Sequence, residues 1–300
     1  MKKKVKVGID LGGSHVGIGV ATSKGNIIEQ YEKDFTVEEK LNLIEVAKDY
    51  IISTINSLKI KYSFSKFGLG VPGTIQNGII LKSVNLNVEN YDIKTVLERE
   101  TGLKVVVKND ANCAAIAEYK YGVGRNYKNI VFLTLGTGIG GCYIYQGKVI
   151  EGSRYEGFEF GHMIIQKDGI LCRCGKKGCF ERYGSILSYK KRIIEELSLS
   201  PNISGPDLRK KIEENIKKVK YINDEYVRDL AIGLSNLINI FEPDVVILGG
   251  GFARYDYLLL KDLKEQIQNS KLLFNPRNDL EIKVASLGND AGIIGASSLE

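Results

Sequence analysis

One of the two histidines and three of the five cysteines in this 300-residue chain fall in a single short stretch, spaced His162-x9-Cys172-x-Cys174-x4-Cys179. One imidazole and three thiolates make a donor set for tetrahedral Zn²⁺, and donors this close together let one loop fold back around the ion. Gly175 and Gly178, between the last two thiols, supply the backbone freedom that such a knuckle needs. Four protein donors leave no open coordination position, so the Zn²⁺ expected at His162, Cys172, Cys174 and Cys179 is structural. Two carboxylates, Glu159 and Glu181, stand beside the ligands, and a metal-fixed loop would hold both in place.

A second kind of chemistry is written at strand ends. Val5–Asp10 alternates apolar and polar residues, stops at Asp10, and turns through Gly12-Gly13-Ser14. Two glycines straight after a strand let backbone N–H groups approach an oxyanion closely, which suits phosphate; an ordinary hairpin turn has the same pattern. Asp110 sits where the strand-like Val105–Val107 gives way to the helical Ala111–Tyr119. A carboxylate at that position can face a site or can simply cap the helix. Val245–Leu248 is a fully apolar strand that runs into Gly249-Gly250-Gly251, where a flat ring could lie against backbone or the chain could merely turn tightly.

Positioning these residues requires alternating strands and helices. After Val5–Asp10 come strands at Val16–Ala21 and Ile27–Tyr31, a helix over Val37–Leu58, a strand at Phe67–Val71 ended by Pro72-Gly73, and a short strand at Gly78–Leu81. An Asn-rich loop follows over Ser83–Glu89, then a helix over Tyr91–Thr101. The second half restarts the pattern. Laying IDLGGS (9–14) on LTLGTG (133–138) matches strand, leucine, glycine and small-residue turn, with Gly140–Tyr145 answering Gly17–Ala21. Such duplication implies two similar α/β lobes with a cleft between them. Only the first copy offers a carboxylate, because Asp10 is answered by Thr134. Helices are expected over Ser188–Leu197, Asp207–Lys218, Asp224–Phe241, Tyr257–Ser270 and Ala291–Leu299, with a strand at Ile282–Ala285. The lobes are placed at 1–122 and 123–287, the latter carrying the zinc loop, with a terminal helix over 288–300 packing back on the first.

Bulk properties narrow the function. The net charge of +6 is spread among acidic residues, as in DLRKKIEENIKKVK (207–220), which reads as a solvated helix face rather than a nucleic-acid patch. No run approaches the about 18 apolar residues of a membrane span, and strand-like VKVGID follows Lys2–Lys4 with no apolar leader between. An odd number of cysteines, three of them in a metal-type cluster, points to a reducing cytoplasm. His15 reads as a surface strand residue, and Cys113 and Cys142 as buried small hydrophobes.

Taken together, GIDLGGS (8–14), NDAN (109–112), LGTGIGG (135–141), EFGH (159–162), CRCGKKGCFE (172–181), ILGGG (247–251) and GNDAGIIGA (288–296) resemble the ROK family of bacterial sugar kinases and sugar-responsive repressors. The blocks run in order over essentially the whole chain. The resemblance implies a two-lobed, duplicated ribonuclease-H-like (actin-like ATPase) α/β fold and ATP-dependent phosphorylation of a hexose. It implies Asp110 as catalytic base, a sugar site lined by Asn109, Glu159, His162 and Glu181, and zinc held by His162, Cys172, Cys174 and Cys179. On that reading Asp10 helps to position Mg²⁺; Gly12, Gly13, Thr137 and Gly138 offer N–H groups to the phosphates; and Gly249, Gly250 and Gly251 face the nucleoside. The Cys-x-Cys-Gly-x-x-Gly-Cys form resembles glucokinases and N-acetylmannosamine or N-acetylglucosamine kinases more than the fructokinase variant. Family repressors carry a helix-turn-helix before the first glycine turn, whereas strand pattern here begins by residue 5. The expectation is a cytoplasmic, homodimeric glucokinase of glycolysis, with no nucleic-acid or membrane partner.

Overall fold

The computed structural model of the chain describes residues 2–154, 158–269 and 271–300. They divide into two compact units, Met1–Asn126 with Gly147–Phe158 and Ser286–Glu300, and Tyr127–Gln146 with Glu159–Ala285.

In the first unit five strands lie in the order Lys104–Asn109, Lys66–Val71, Lys6–Leu11, His15–Ala21 and Ile27–Asp34. The first three are parallel and the last two antiparallel. Successive side chains of a strand point to opposite faces, and the Lys6–Leu11 strand uses both. Val7, Ile9 and Leu11 join Ala47, Ile51 and Ile55 of the Leu43–Lys61 helix in the main core, each large apolar side chain contributing about 1.5–3 kcal/mol by burial. Lys6, Gly8 and Asp10 face the other way, where the Ala291–Ser297 helix lies flat on the sheet. A Cβ on Gly8 or Gly68 would overlap the backbone of that helix at Ile293 or Ala296. The glycines are what let helix and sheet come so close.

The second unit repeats the plan. Ile139–Tyr145, Ile130–Leu135, Val245–Gly250 and Glu281–Val284 lie side by side in that order, the first pair antiparallel and the others parallel. The repeat extends to register. Asp10 stands between Gly17 and Gly70, and Thr134 stands between Gly140 and Gly249. Each unit is thus a ribonuclease-H-like sheet, and the duplicated α/β fold expected from the sequence is the one found. Behind the second sheet, buried Tyr189, Tyr226 and Tyr255 pack ring to ring at 4.9 and 5.4 Å. The Tyr189 hydroxyl donates to Asn223 Oδ1 and that of Tyr226 to the Gly184 carbonyl.

Element limits differ from the sequence reading where polar local signals mislead. The first helix begins at Leu43, after a 3-10 turn over Glu39–Asn42, rather than at Val37. The Asn-rich loop contains a strand, Val88–Tyr91, paired with Ile79–Ser83; its VENY sequence is too exposed and polar to show alternation. The helix expected over Asp207–Lys218 stops at Glu214, and the next runs the whole way from Ile216 to Phe241. The helix expected over Tyr257–Ser270 is Asp256–Asn269, Ser270 lying outside the described residues. Among the described residues no helix is long and apolar enough to cross a membrane.

Candidate active site

In the first unit, Asp10 and Asp110 both stand at the carboxyl ends of parallel strands, the usual location of ligand sites in open α/β sheets. The helix cap is Asn109 rather than Asp110. Asn109 has extended backbone, and its side-chain oxygen accepts the N–H groups of Ala111 (2.9 Å) and Asn112 (3.4 Å). Its Nδ2 donates to the Gly73 carbonyl at 3.1 Å. Asp110 is therefore the first helical residue; its Oδ1 accepts the neighbouring Ala111 N–H at 2.9 Å, but the cap itself is supplied by Asn109. With two backbone donors on its oxygen and one N–H donated to Gly73, the Asn109 amide has a second N–H left over.

Asp10 lies under the start of the terminal helix, where a Cβ on Gly292 would overlap its carboxylate. Burial, and then the charge of Asp110, push its carboxyl up from 3.8 to about 7. Two carboxylates that disfavour each other's charge form a place where a cation is stabilising. Their donor set, carboxylate oxygens, fits Mg²⁺. At the adjoining turn the Gly12 N–H is committed to the His15 carbonyl at 2.9 Å. Gly13 and Ser14 donate no backbone hydrogen bond to any described residue, so they are the donors this turn can offer a phosphate.

In the second unit the donor atoms of His162, Cys172, Cys174 and Cys179 all lie within 4.8 Å of one another. His162 Nδ1 is 3.7 Å from Cys172 Sγ, and Cys174 Sγ is 3.5 Å from Cys179 Sγ. With metal–sulfur bonds of about 2.3 Å, donors at a tetrahedron's corners lie about 3.8 Å apart, so this set fits Zn²⁺. The loop is shaped by its glycines, Gly175 at φ +87° and Gly178 at φ +79°, and by the Cys172 N–H donating to the Lys176 carbonyl at 2.8 Å. The Lys176 backbone N–H holds the Cys174 thiol below its ordinary range, while burial pushes Cys179 up to about 12. Phe180, next in sequence to Cys179, is fully buried against Gly184 and Gly233 and anchors the loop to the Ile216–Phe241 helix.

The two carboxylates beside the knuckle differ. Glu181 Oε2 accepts the Ile139 N–H at 3.1 Å and lies against Gly138, where a Cβ would overlap it. It therefore ties the metal loop to the Gly136-Thr137-Gly138 turn. Glu159 is exposed, with Oε2 3.9 Å from His162 Nε2, beyond hydrogen-bond length. The turn closes on itself through Gly136 N–H to the Gly138 carbonyl (2.9 Å), and Thr137 is exposed at its tip. Gly250 stands at the end of its strand with φ +68° beside Thr134 and Leu135, followed by Gly251; Gly249 is one residue inside, buried between Phe132 and Ala285.

Glu118 escaped the sequence reading. It is fully buried on the Asp110–Tyr121 helix and accepts four hydrogen bonds, from the N–H groups of Val123, Ser286 and Leu287 and the Ser286 hydroxyl. An acid in the middle of an alanine-rich helix was the available signal.

Residues 6–300 match the ROK family. The chain is 32% identical to a glucokinase of Thermotoga maritima over 100% of its own length and 98% of that protein's. It is 27% identical to the xylose repressor of Bacillus subtilis, covering 99% of this chain and 77% of the repressor. A crystal structure of a ROK family glucokinase from Streptomyces griseus in complex with glucose and AMPPNP superposes with a TM-score of 0.77 at 27% identity, covering 98% of each chain. With the family match running nearly end to end, and a relative so similar over its full length, this chain belongs to the ROK family.

Proposed function

We propose that the chain is an ATP-dependent hexose kinase that phosphorylates the primary hydroxyl of its sugar, glucose being the first choice of substrate. The observation that carries this reading is the pair Asp10 and Asp110 at the carboxyl ends of the first unit's parallel strands, with Asp10 raised to about 7. A cation offsets both the burial and the Asp110 charge that raise it, and a nucleotide brings one. When bound, Mg²⁺ supplies charge neutralisation for the phosphates. Asp10 would help to hold the ion, Gly13 and Ser14 would offer N–H donors on their turn, and Thr137 and Gly138 on theirs.

Asp110 accepts the proton of the sugar's primary hydroxyl as that oxygen forms its bond to the γ-phosphorus and the bond to ADP breaks. Asn109 fixes the backbone that presents Asp110 and offers its remaining N–H to the sugar. Glu181, Glu159 and the His162 Nε2 complete the hexose contacts, since sugar hydroxyls donate well to carboxylates. Zn²⁺ at His162, Cys172, Cys174 and Cys179 is a scaffold and takes no part in the chemistry. A cytoplasmic homodimer belongs to the same reading. Glucose is favoured over N-acetylhexosamines because relatives 32% and 31% identical over nearly their full length are named glucokinases. The family's regulators make a sugar-binding repressor the competing class, and the Asp10–Asp110 pair, which serves catalysis and not sugar binding, speaks for the kinase.

The test is a coupled assay of ADP release over a panel of hexoses and N-acetylhexosamines with Mg·ATP. Turnover with glucose above the others, lost in Asp110→Asn, is the expected result. Sugar binding without any turnover would overturn the kinase reading, and turnover with an N-acetylhexosamine alone would move the substrate.

A further inference from the structure

At the end of the first sheet opposite Asp10, three neighbouring parallel strands start on lysine. Lys104 is the register partner of Lys66, and the Val106–Gly68 and Gly68–Gly8 pairs two residues further on place Lys6 next in the same row. Strands in register lie about 4.8 Å apart, and like charges set side by side destabilise a sheet. Among the described residues none pairs with this row. Lys33, Lys61 and Lys108 of the same unit pair with Glu39, Glu29 and Glu151, whereas Lys6, Lys66 and Lys104 form no ion pair or side-chain hydrogen bond with any described residue. The terminal helix does not neutralise them either: the Ser298 carbonyl at its end is taken by Lys120 at 3.1 Å.

Two members of the row, Lys6 and Lys66, face space. Lys4, Lys6 and Lys66, with the hydroxyl-bearing Ser63, Ser65 and Ser297, line a cavity of about 590 Å³. Glu300, also on its wall, is 92% exposed and 3.5 Å from Lys120. A concave site with several ammonium groups, hydroxyl donors and one outward-turned acid is suited to phosphate oxygens. We propose that this cavity binds a phosphate-bearing small molecule, distinct from any phosphate at the glycine turns. The cavity floor and Asp10 share one strand face, Lys6-Gly8-Asp10, and one helix, whose start abuts Asp10 at Gly292 and whose Ser297 lines the cavity. The proposal does not depend on the kinase reading.

Inorganic pyrophosphate is the probe, titrated by calorimetry at low ionic strength into the full chain and into the Lys66→Gln, Lys6→Gln/Lys66→Gln and Lys66→Arg variants. These exposed or partly exposed positions lie outside the Asp10–Asp110 machinery. Removing one lysine that donates to phosphate should weaken this binding by roughly tenfold or more; the double variant should abolish it, and Lys66→Arg should retain it. Thermal unfolding without anion should show Lys66→Gln more stable than the parent, because a repulsion is gone. Identical titrations for the parent and the double variant would place all pyrophosphate elsewhere and overturn the assignment, as would no binding by the parent. Equal loss in Lys66→Arg and Lys66→Gln would overturn the charge argument.

Discussion

Glu181 Oε2 accepts the backbone N–H of Ile139 at 3.1 Å, so a carboxylate from the cysteine loop holds the glycine turn of the second unit. Gln at 181 can still accept from Ile139 but loses the charge that sugar hydroxyls favour. Glu181→Gln should raise the hexose KM by roughly 10- to 100-fold, the worth of a hydrogen bond to a charged group, and leave the nucleotide KM near that of the parent. Glu181→Ala, which also releases Ile139, should raise both. Steady-state kinetics with each substrate varied separates the two roles, and an unchanged hexose KM in Glu181→Gln would remove Glu181 from the sugar site.

Asp110→Asn keeps the Asn109 cap and the helix start, since the cap hydrogen bonds belong to Asn109. Its effect should fall on proton acceptance alone. We expect kcat to drop by roughly 10²–10⁴ with hexose affinity by calorimetry little changed. Asn109→Ala should instead cost about 1 kcal/mol of stability for the lost cap and lower kcat through a displaced Asp110. Full activity in Asp110→Asn would end its assignment as the base.

Cys174→Ser removes the exposed thiol of the metal set. Metal content should fall from one Zn²⁺ per chain towards none, and hexose affinity should fall with it, because Glu181 follows Cys179 by two residues and loses its fixed approach to Ile139. Elemental analysis alongside calorimetry checks both. A metal-free variant that binds hexose normally would show that Phe180 packing alone suffices to place Glu181.

The His162–Cys172–Cys174–Cys179 cluster and the duplication were legible in sequence because both are written as local patterns. Ligand spacing with intervening glycines marks the knuckle, and the IDLGGS–LTLGTG match carries through to the Gly17–Gly70 and Gly140–Gly249 neighbours of Asp10 and Thr134. The contacts that order the site were not legible. Asn109 rather than Asp110 caps the helix because both residue types cap well, and only the backbone angles decide between them. The Glu181–Ile139 and Glu118–Ser286 hydrogen bonds join residues far apart in sequence, and the lysine row exists only once three strands are in register.

Glu118 gathers four donors onto one buried carboxylate, from Val123 and from the Ser286–Leu287 segment. These are the places where the chain leaves the first unit and where it finally returns. Glu118→Gln sets an NH₂ group against backbone N–H donors and leaves at least one of them without an acceptor. A loss of about 2–4 kcal/mol is expected, read by urea unfolding of the ligand-free chain. A loss below about 1 kcal/mol would mean that water or a shifted rotamer replaces the carboxylate.

Asp10 gives the chain a signature in pH. Its folded pKa of about 7 lies above the ordinary 3.8 because of burial and the charge of Asp110, so the folded state holds a proton that the unfolded state releases. The stability linked to this group is complete below pH 4 and is lost as pH rises through 7. Other carboxylates titrate in the opposite sense, Glu29 being held down at about 2 by hydrogen bonds from Lys61, Tyr31 and Tyr62, so the comparison must be with a variant. Asp10→Asn cannot ionise, and its stability relative to the parent should grow between pH 5 and pH 8 by about 2–4 kcal/mol in metal-free buffer. Mg²⁺ with ADP should stabilise the parent more at pH 8 than at pH 5, releasing a proton on binding at the lower pH, and should lose that pH dependence in Asp10→Asn. Parallel stability curves for parent and variant across this range would show that Asp10 is ionised throughout, and with it would go the cation-seeking pair on which the kinase reading rests.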